Sequence, residues 1–401
     1  MPKDPFVDGI KIIEQIEQAN EEAYFVGGCV RDLLLKRPIK DIDIATSAKP
    51  EKIQQIFKQV IPVGIEHGTV IVRYNHRSYE VTTFRVDGQY SDNRHPDEVQ
   101  FINSIDEDLK RRDFTMNALA MDKDGEIIDL FSGRKDIKRR QIRTVGDGYE
   151  RFMEDALRMV RAIRFASQLG FAIESETLQN IIALRENISH IAIERITNEL
   201  TKLFAGDFVN QGIDYLKQTK LDQYLPIFKE HPQILQRIPH LHEPLHSFAE
   251  VIALLHNLEP TVRVSAWAKA WKTSNRIERE AIFLTEALQN YQMHGLNEWL
   301  VYQLPEHLLE GFWRLVENIF PDKKFQRTQL VQLKQSLPIQ AKTDLAINGS
   351  DIIALFPAIK QGPWIREMIT SLEKKVVQQE LPNDRKVLKE WILCNPPKIN
   401  S

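Results

Sequence analysis

Two aspartates one residue apart, Asp41 and Asp43 in the run DIDIAT, are the first residues of this 401-residue chain that could do chemistry. Side chains alternate along a strand, so both carboxylates project from one face and Ile42 and Ile44 from the other. Like charges placed side by side repel unless a cation lies between them. Hard carboxylate oxygens suit Mg2+, which commonly binds substrate phosphates as well. Just upstream, Gly27 and Gly28 end the apolar run AYFV and open the helical pattern CVRDLLLKR. Bare backbone leading into a helix start lets N–H groups approach a phosphate closely, and Arg31, one turn in, adds positive charge. A triphosphate cradle beside a two-carboxylate metal site implies nucleotidyl transfer. One metal would lower the pKa of an attacking hydroxyl and a second would steady the departing pyrophosphate. Glu80, at an alternate position of SYEVTTF, reads either as a third carboxylate or as a solvated strand charge.

These residues must be held by elements the sequence also announces. KIIEQIEQA is expected to be a helix, AYFVGG a buried strand ending in a turn, and DIDIAT a strand. PEKIQQIFKQV is expected to be a helix with Pro50 near its start. TVIVRYN and SYEVTTF form a hairpin pattern about His76-Arg77, and ALAMD and GEIIDL another about Asp124-Gly125. The spacing predicts an α+β fold with a small mixed or antiparallel sheet, not a doubly wound parallel one. Past Gly148 the strand pattern fades; ten of the 17 glycines lie at or before that position. ERFMEDALRMVRAIRFASQL reads as one long amphipathic helix. SETLQNIIALREN and AIERITNELTKLFAG continue that period, the latter closed by Gly206. The rest of the chain is helical pattern cut by prolines.

Taken in order, GGCVRD, DIDIAT, RRDFTMNALAM, EDALRMVRAIRF and ERITNEL resemble the motifs of class II tRNA nucleotidyltransferases, the CCA-adding enzymes of the polymerase-beta-type superfamily. The likeness runs from about residue 25 to about residue 205, and the set is specific although each piece alone is not. It implies an N-terminal nucleotidyltransferase head (1–148), a helical neck (149–206), a helical body (207–330) and a helical tail (331–401), the helical part being elongated. It implies template-independent addition of CCA to the tRNA 3′ end from CTP and ATP, with Mg2+ at Asp41 and Asp43. Gly28, Arg31 and Arg112 would face the triphosphate and Asp113 the ribose 2′-hydroxyl. Asp155 and Arg158, which by spacing alone read as an ordinary i,i+3 surface ion pair, would face the incoming base. Arg161 and Arg164 rotate progressively around the helix, so the three arginines cannot all meet one group; these two would reach phosphates or the RNA end. The polar segment 84–101 resembles the loop the family needs for its last step, A addition. An enzyme adding only A to tRNA ending in CC, and a poly(A) polymerase, share the head motifs. A non-catalytic RNA-binding protein would gain nothing from two adjacent buried carboxylates.

Bulk properties narrow the setting. A net charge of −3 means that RNA must be held by local basic surface and not by the field of the whole chain. RKDIKRRQIR at 134–143 carries six basic residues and reads either as a solvated face or as a contact to a tRNA backbone. Lys374, Lys375, Arg385, Lys386 and Lys389 could continue such a track. His240, His242 and His246 lie close together, but prolines break their segment and no metal is expected there. Two cysteines without ligand spacing, no apolar run long enough to cross a bilayer and no signal-peptide pattern lead to the expectation of a cytoplasmic protein with free thiols.

Overall fold

The computed structural model describes residues 5–88 and 99–397, and the chain divides into two compact units, 1–237 and 238–401. The first unit begins with α1 (Val7–Gln18), β1 (Ala23–Val26), α2 (Gly28–Leu34), β2 (Asp43–Thr46) and α3 (Pro50–Ile56). Next come β3 (Val60–Gly64), β4 (Thr69–Tyr74), β5 (Arg77–Thr83), β6 (Arg85–Asp87), β7 (Val99–Phe101) and α4 (Ile105–Lys110). The short hairpin strands β8 (Ala120–Met121) and β9 (Ile127–Ile128) and the helix α5 (Gly133–Arg139) follow. The seven-stranded sheet has the order β3-β4-β5-β2-β1-β8-β9. It is mixed: β2 and β5 run parallel, and the other neighbours run antiparallel. Both hairpins read from sequence are present, at β4–β5 and β8–β9, although the first turns at Asn75-His76, both with positive φ, and Arg77 already pairs with Tyr74. The centre of the polar segment singled out above, residues 89–98, lies outside the described residues.

Alternation along the strands divides the sheet into a face packed under α1 and a face partly covered by α4 and otherwise open. Phe25 pairs with Ile44 across β1 and β2, and Phe6 packs edge-on against Phe25 at 4.8 Å between ring centroids. Helix α1 buries Ile12, Ile13 and Ile16, and a side chain at Gly9 would strike the Phe25 ring, so only glycine allows this approach. On the strands' other face, Val26, Ala45 and Phe84 join Ile105 and Leu109 of α4 and Ala120 in a buried cluster. Asp43 shares that parity with Ala45, and in the parallel register its partner on β5 is Glu80. Asp41 precedes the strand, which starts at Asp43.

Three local features differ from the pattern reading. The helix after Pro50 stops at Ile56, and Val60–Gly64 forms an edge strand instead. The strand carries Pro62, an irregular register and exposed Ile61 and Val63, all of which mask a strand in sequence but are tolerated at a sheet edge. The expected single helix from 150 to 169 is two, α6 (Gly148–Glu154) and α7 (Leu157–Leu169), broken where Asp155 turns extended and its carboxylate accepts the Leu157 N–H at 3.0 Å. Helices α8 (Ser175–Leu184), α9 (Ile193–Phe204) and α10 (Val209–Thr219) follow, and α9 and α10 pack on α7. Gly206, read as a left-handed stop, is required for a different reason. Its missing side chain makes room for Ser167 of α7, whose Oγ and carbonyl oxygen would lie 2.2 and 2.4 Å from a Cβ there.

The second unit is helical. Phe248–Leu258, Asn275–His294 and Leu309–Ile319 enclose the fully buried Trp267, Trp271 and Phe312. Glu250 and Arg314 form a buried two-pronged ion pair at 2.9 Å. The His240–His246 segment is pinned by Asn318, whose side chain accepts the His242 and Glu243 N–H groups and donates to the Glu243 carbonyl. Among the described residues no helix is long and apolar enough to cross a membrane.

Gly206→Ala should destabilise the first unit by about 1–3 kcal/mol through overpacking against Ser167. Urea unfolding followed by a probe in that unit measures it; an unchanged midpoint would show that the α7–α9 corner yields freely.

Candidate active site

The open face of the sheet forms the floor of a cleft of about 720 Å³. Thr69, Glu80, Thr82, Asp43, Ala45 and Val26, contributed by four strands, line it. Its walls bring the lining to eight arginines, one lysine and six carboxylates, an unusual density of charge for one cavity. Every residue singled out for chemistry from the sequence is here: Asp41, Asp43, Gly28, Arg31, Arg112, Asp113, Asp155, Arg158, Arg161 and Arg164.

The aspartate end is short of positive charge. Asp43 is pushed up to about 6 by burial and by the carboxylates of Glu80 and Asp41, against the opposing pull of Arg112. Among the described residues no three His, Cys, Asp or Glu side chains close into a metal cage. Asp41 and Asp43 therefore offer an open pair of hard oxygens, a donor set that fits a divalent cation completing its shell with phosphate and water.

Beside them, Gly27 adopts φ +69°, and a Cβ there would come within 2.9 Å of an Arg112 Nη. Arg112 and Arg111 are both held by Asp108, which is buried, and these two guanidiniums keep its carboxyl below the usual range although burial alone would raise it. Arg31 donates to Asp32 at 3.0 Å and to the Asn117 side-chain oxygen at 2.7 Å. Burial works to raise Asp113, but Arg161, Asn117 and Arg158 overcome it and hold the carboxyl at about 2. Its Oδ1 accepts from Phe114 N–H and the Asn117 amide, and its Oδ2 from Arg161 Nε at 2.9 Å.

Asp155 and Arg158 do not pair with each other. Asp155 Oδ2 accepts from Arg195 Nη2 of α9 at 2.7 Å. Arg158, 8% exposed, donates to Glu154, to the Arg151 carbonyl and, at 3.1 Å, to the Arg111 carbonyl. The surface-pair reading is thereby excluded: the joint between α6 and α7 separates the two side chains, and each has a partner elsewhere. Arg164 is paired with Glu199 of α9; burial still pulls its guanidinium down to about 10. As their rotation around α7 requires, Arg158, Arg161 and Arg164 meet three different carboxylates, Glu154, Asp113 and Glu199.

Three family models match along the chain. The model of the poly A polymerase head domain matches residues 23–143. That of the RNA and SrmB-binding site of polymerase A matches 170–231, and that of tRNA nucleotidyltransferase domain 2 matches 245–392. The chain is 48% identical over 401 residues to the CCA-adding enzyme of Oceanobacillus iheyensis, covering all of both chains. The chain belongs to the CCA-adding enzyme family. It is also 43% identical to the family member of Anoxybacillus flavithermus, over 99% of each chain. The crystal structure of the Bacillus stearothermophilus CCA-adding enzyme in complex with CTP superposes with a TM-score of 0.85 at 39% identity, covering 98% of this chain and 97% of that one.

Pattern reading missed the supports of this cleft. Asp108, Asn117, Glu154, Arg195 and Glu199 hold the arginines and Asp155, and Phe165 lies beneath three guanidiniums, those of Arg31, Arg161 and Arg164, at 5.2, 5.6 and 3.7 Å from its ring centre. One signal was available: Arg195 and Glu199 are four apart in ERITNEL and so share a helix face. Of the six basic residues at 134–143, Arg143 is bound to buried Asp136 and the other five are exposed. Both cysteines are free; Cys29 is buried and Cys394 exposed.

Glu199→Gln would leave the Arg164 guanidinium buried without its counter-charge, for an expected loss of about 3–5 kcal/mol, whereas Arg164→Met with Glu199→Leu should recover most of it. Denaturant midpoints of the two variants decide this. Equal losses would mean that packing, not charge, governs the corner.

Proposed function

We propose that this chain builds and repairs the CCA end of tRNA, adding two C and one A from CTP and ATP without a nucleic-acid template and releasing pyrophosphate. What carries the reading is one cleft in which a two-aspartate site, a glycine turn against Arg112 and the Asp155/Arg158 pair converge, in a chain matched along its whole length by CCA-adding enzymes. The reaction belongs in the cytoplasm, where tRNA and nucleoside triphosphates meet. In the proposed division, residues 1–148 act as catalytic head, 149–206 as base-selecting neck, 207–330 as body and 331–401 as tail.

Phosphoryl transfer depends on in-line positioning and charge neutralisation more than on covalent chemistry. Asp41 and Asp43 would hold Mg2+, which would make the tRNA 3′-hydroxyl easier to deprotonate and neutralise charge on the phosphates. The Gly27-Gly28 turn lets the triphosphate come close to backbone, and Arg31 and Arg112 face it with guanidiniums already fixed by Asp32, Asn117 and Asp108. Arg161 and Arg164 add charge further along α7. Asp113 stays ionised, so it can only accept, and a ribose 2′-hydroxyl can donate to it. Removing either metal-site carboxylate, by Asp41→Ala or Asp43→Ala, should abolish C and A addition while a gel-shift assay shows tRNA binding retained. Near-normal turnover with Mg2+ would refute the metal assignment.

The base is read by opposing hydrogen-bond signs. Cytosine and adenine both present an amino group beside an unprotonated ring nitrogen. Uracil and guanine present a carbonyl beside a ring N–H. Asp155 accepts and Arg158 donates, which matches the first pair and sets like against like for the second. Arg195 and Glu154 fix the two side chains, and the base takes its place beside those bonds. Such a contact discriminates by about 1–3 kcal/mol per pair. Replacing both residues with alanine should let UTP and GTP be incorporated measurably in single-turnover assays with all four nucleotides. Unchanged rejection with activity retained would show that selection resides elsewhere.

A further inference from the structure

Phe165 is a buried ring, 5% exposed, set among the arginines that line the cleft. Phe114 meets it edge-on, at 85° and 5.8 Å between centroids, which fixes the plane of the ring. The guanidinium carbons of Arg164, Arg31 and Arg161 lie 3.7, 5.2 and 5.6 Å from its centre. All three are inside the range over which the electron-rich face of an aromatic ring attracts a cation. Arg161 and Arg164 share helix α7 with the ring. Arg31 comes from α2, so its contact is the one of the three that joins two elements.

The other arginines do not depend on the ring in this way. Arg112, Arg158, Arg161 and Arg164 are paired with the carboxylates of Asp108, Glu154, Asp113 and Glu199. The carboxylate on Arg31 is that of its chain neighbour Asp32, at 2.9 Å. Asp32 belongs to the same helix and cannot set the position of Arg31 relative to α7. The remaining hydrogen bond goes to the neutral Asn117 amide, at 2.7 Å. Repulsion from Arg161 and Arg164 pushes Arg31 away from α7. Attraction to the Phe165 face opposes that push, at a buried site where such contacts are strongest. We propose that Phe165 is a positioning residue for nucleotide binding: it acts through Arg31, holding that guanidinium where the triphosphate meets it. The inference rests on the CCA-adding reading above, in which Arg31 faces the triphosphate.

The test separates ring electrons from ring volume. Full-length protein is made with none, one, two or three fluorines on the ring at position 165. Fluorine draws electron density from the ring face and leaves a side chain of nearly the same shape. The dissociation constant for CTP with Mg2+, measured by calorimetry, should rise stepwise with each fluorine, to about tenfold with three. ATP should give the same series, because the triphosphate is common to both. The urea midpoint should stay level or rise, because a fluorinated ring is at least as apolar. In an Arg31→Met background the series should be flat, since the ring then has no cation of α2 to hold. An affinity independent of fluorine would make Phe165 a packing residue and overturn the proposal. So would a CTP loss that tracks a falling midpoint, or a series that keeps its slope in Arg31→Met. Extension of tRNA by the wild type is assayed separately. Its failure would overturn the CCA-adding reading, whereas the role of the ring stands or falls on the CTP series; wild-type protein that binds no CTP overturns both.

Discussion

A cleft that handles a triphosphate must keep many guanidiniums close together, and their mutual repulsion is the constraint on which the first unit is organised. The solution is to hold each from behind with a carboxylate or carbonyl: Asp108 for Arg111 and Arg112, Asp113 for Arg161, Glu199 for Arg164, Glu154 for Arg158. Asp108 and Asp113 are more deeply buried than the arginines they hold, Glu199 is as buried as Arg164, and Glu154 is the most exposed of the four; each fixes its guanidinium in place. Only the Asp41–Asp43 end reverses the sign, and there Glu80 adds to the negative charge instead of relieving it. The contrast between the two ends gives the cleft a charge polarity along its length.

The sheet and helices serve this charge arrangement. The parallel pairing of β2 with β5 sets Asp43 opposite Glu80, and α1 closes the reverse face with apolar side chains. Helix α7 carries three arginines, and α9 delivers both Arg195 and Glu199 to its side. A shift of α9 along α7 would release Asp155 from Arg195 and leave the buried Arg164 without Glu199 at once. The glycine contact at Gly206 and Ser167 fixes that alignment.

Much of this was legible in the residues. Alternation in DIDIAT placed Asp43 on the cleft side and Ile44 in the core, while Asp41 reaches the cleft from the segment before the strand. The β8–β9 hairpin follows from Asp124-Gly125, and the β4–β5 hairpin turns one residue earlier than read, at Asn75-His76. The edge strand β3 was not, because Pro62 and exposed apolar residues carry no alternation. The helix break at Asp155 was hidden for a related reason. A carboxylate that caps the next turn leaves the 3.6-residue period intact on both sides, so periodicity runs straight through the joint. The long-range partners were invisible in principle. Arg31 meets Asn117 and Asp113 meets Arg161 across 86 and 48 residues, distances at which spacing holds no information without the fold.

Those separations also set when the cleft can come into being during synthesis. The aspartates and the glycine turn leave the ribosome first, but Arg164 and Asp155 lack their ion-pair partners, Glu199 and Arg195, until α9 is made. At about 5–20 residues per second, the 35 residues from Arg164 to Glu199 take roughly 2–7 s. Over that interval the nascent chain carries an arginine-rich helix that cannot be buried at low cost. Docking of α7 with its ion pairs complete therefore has to wait for α9.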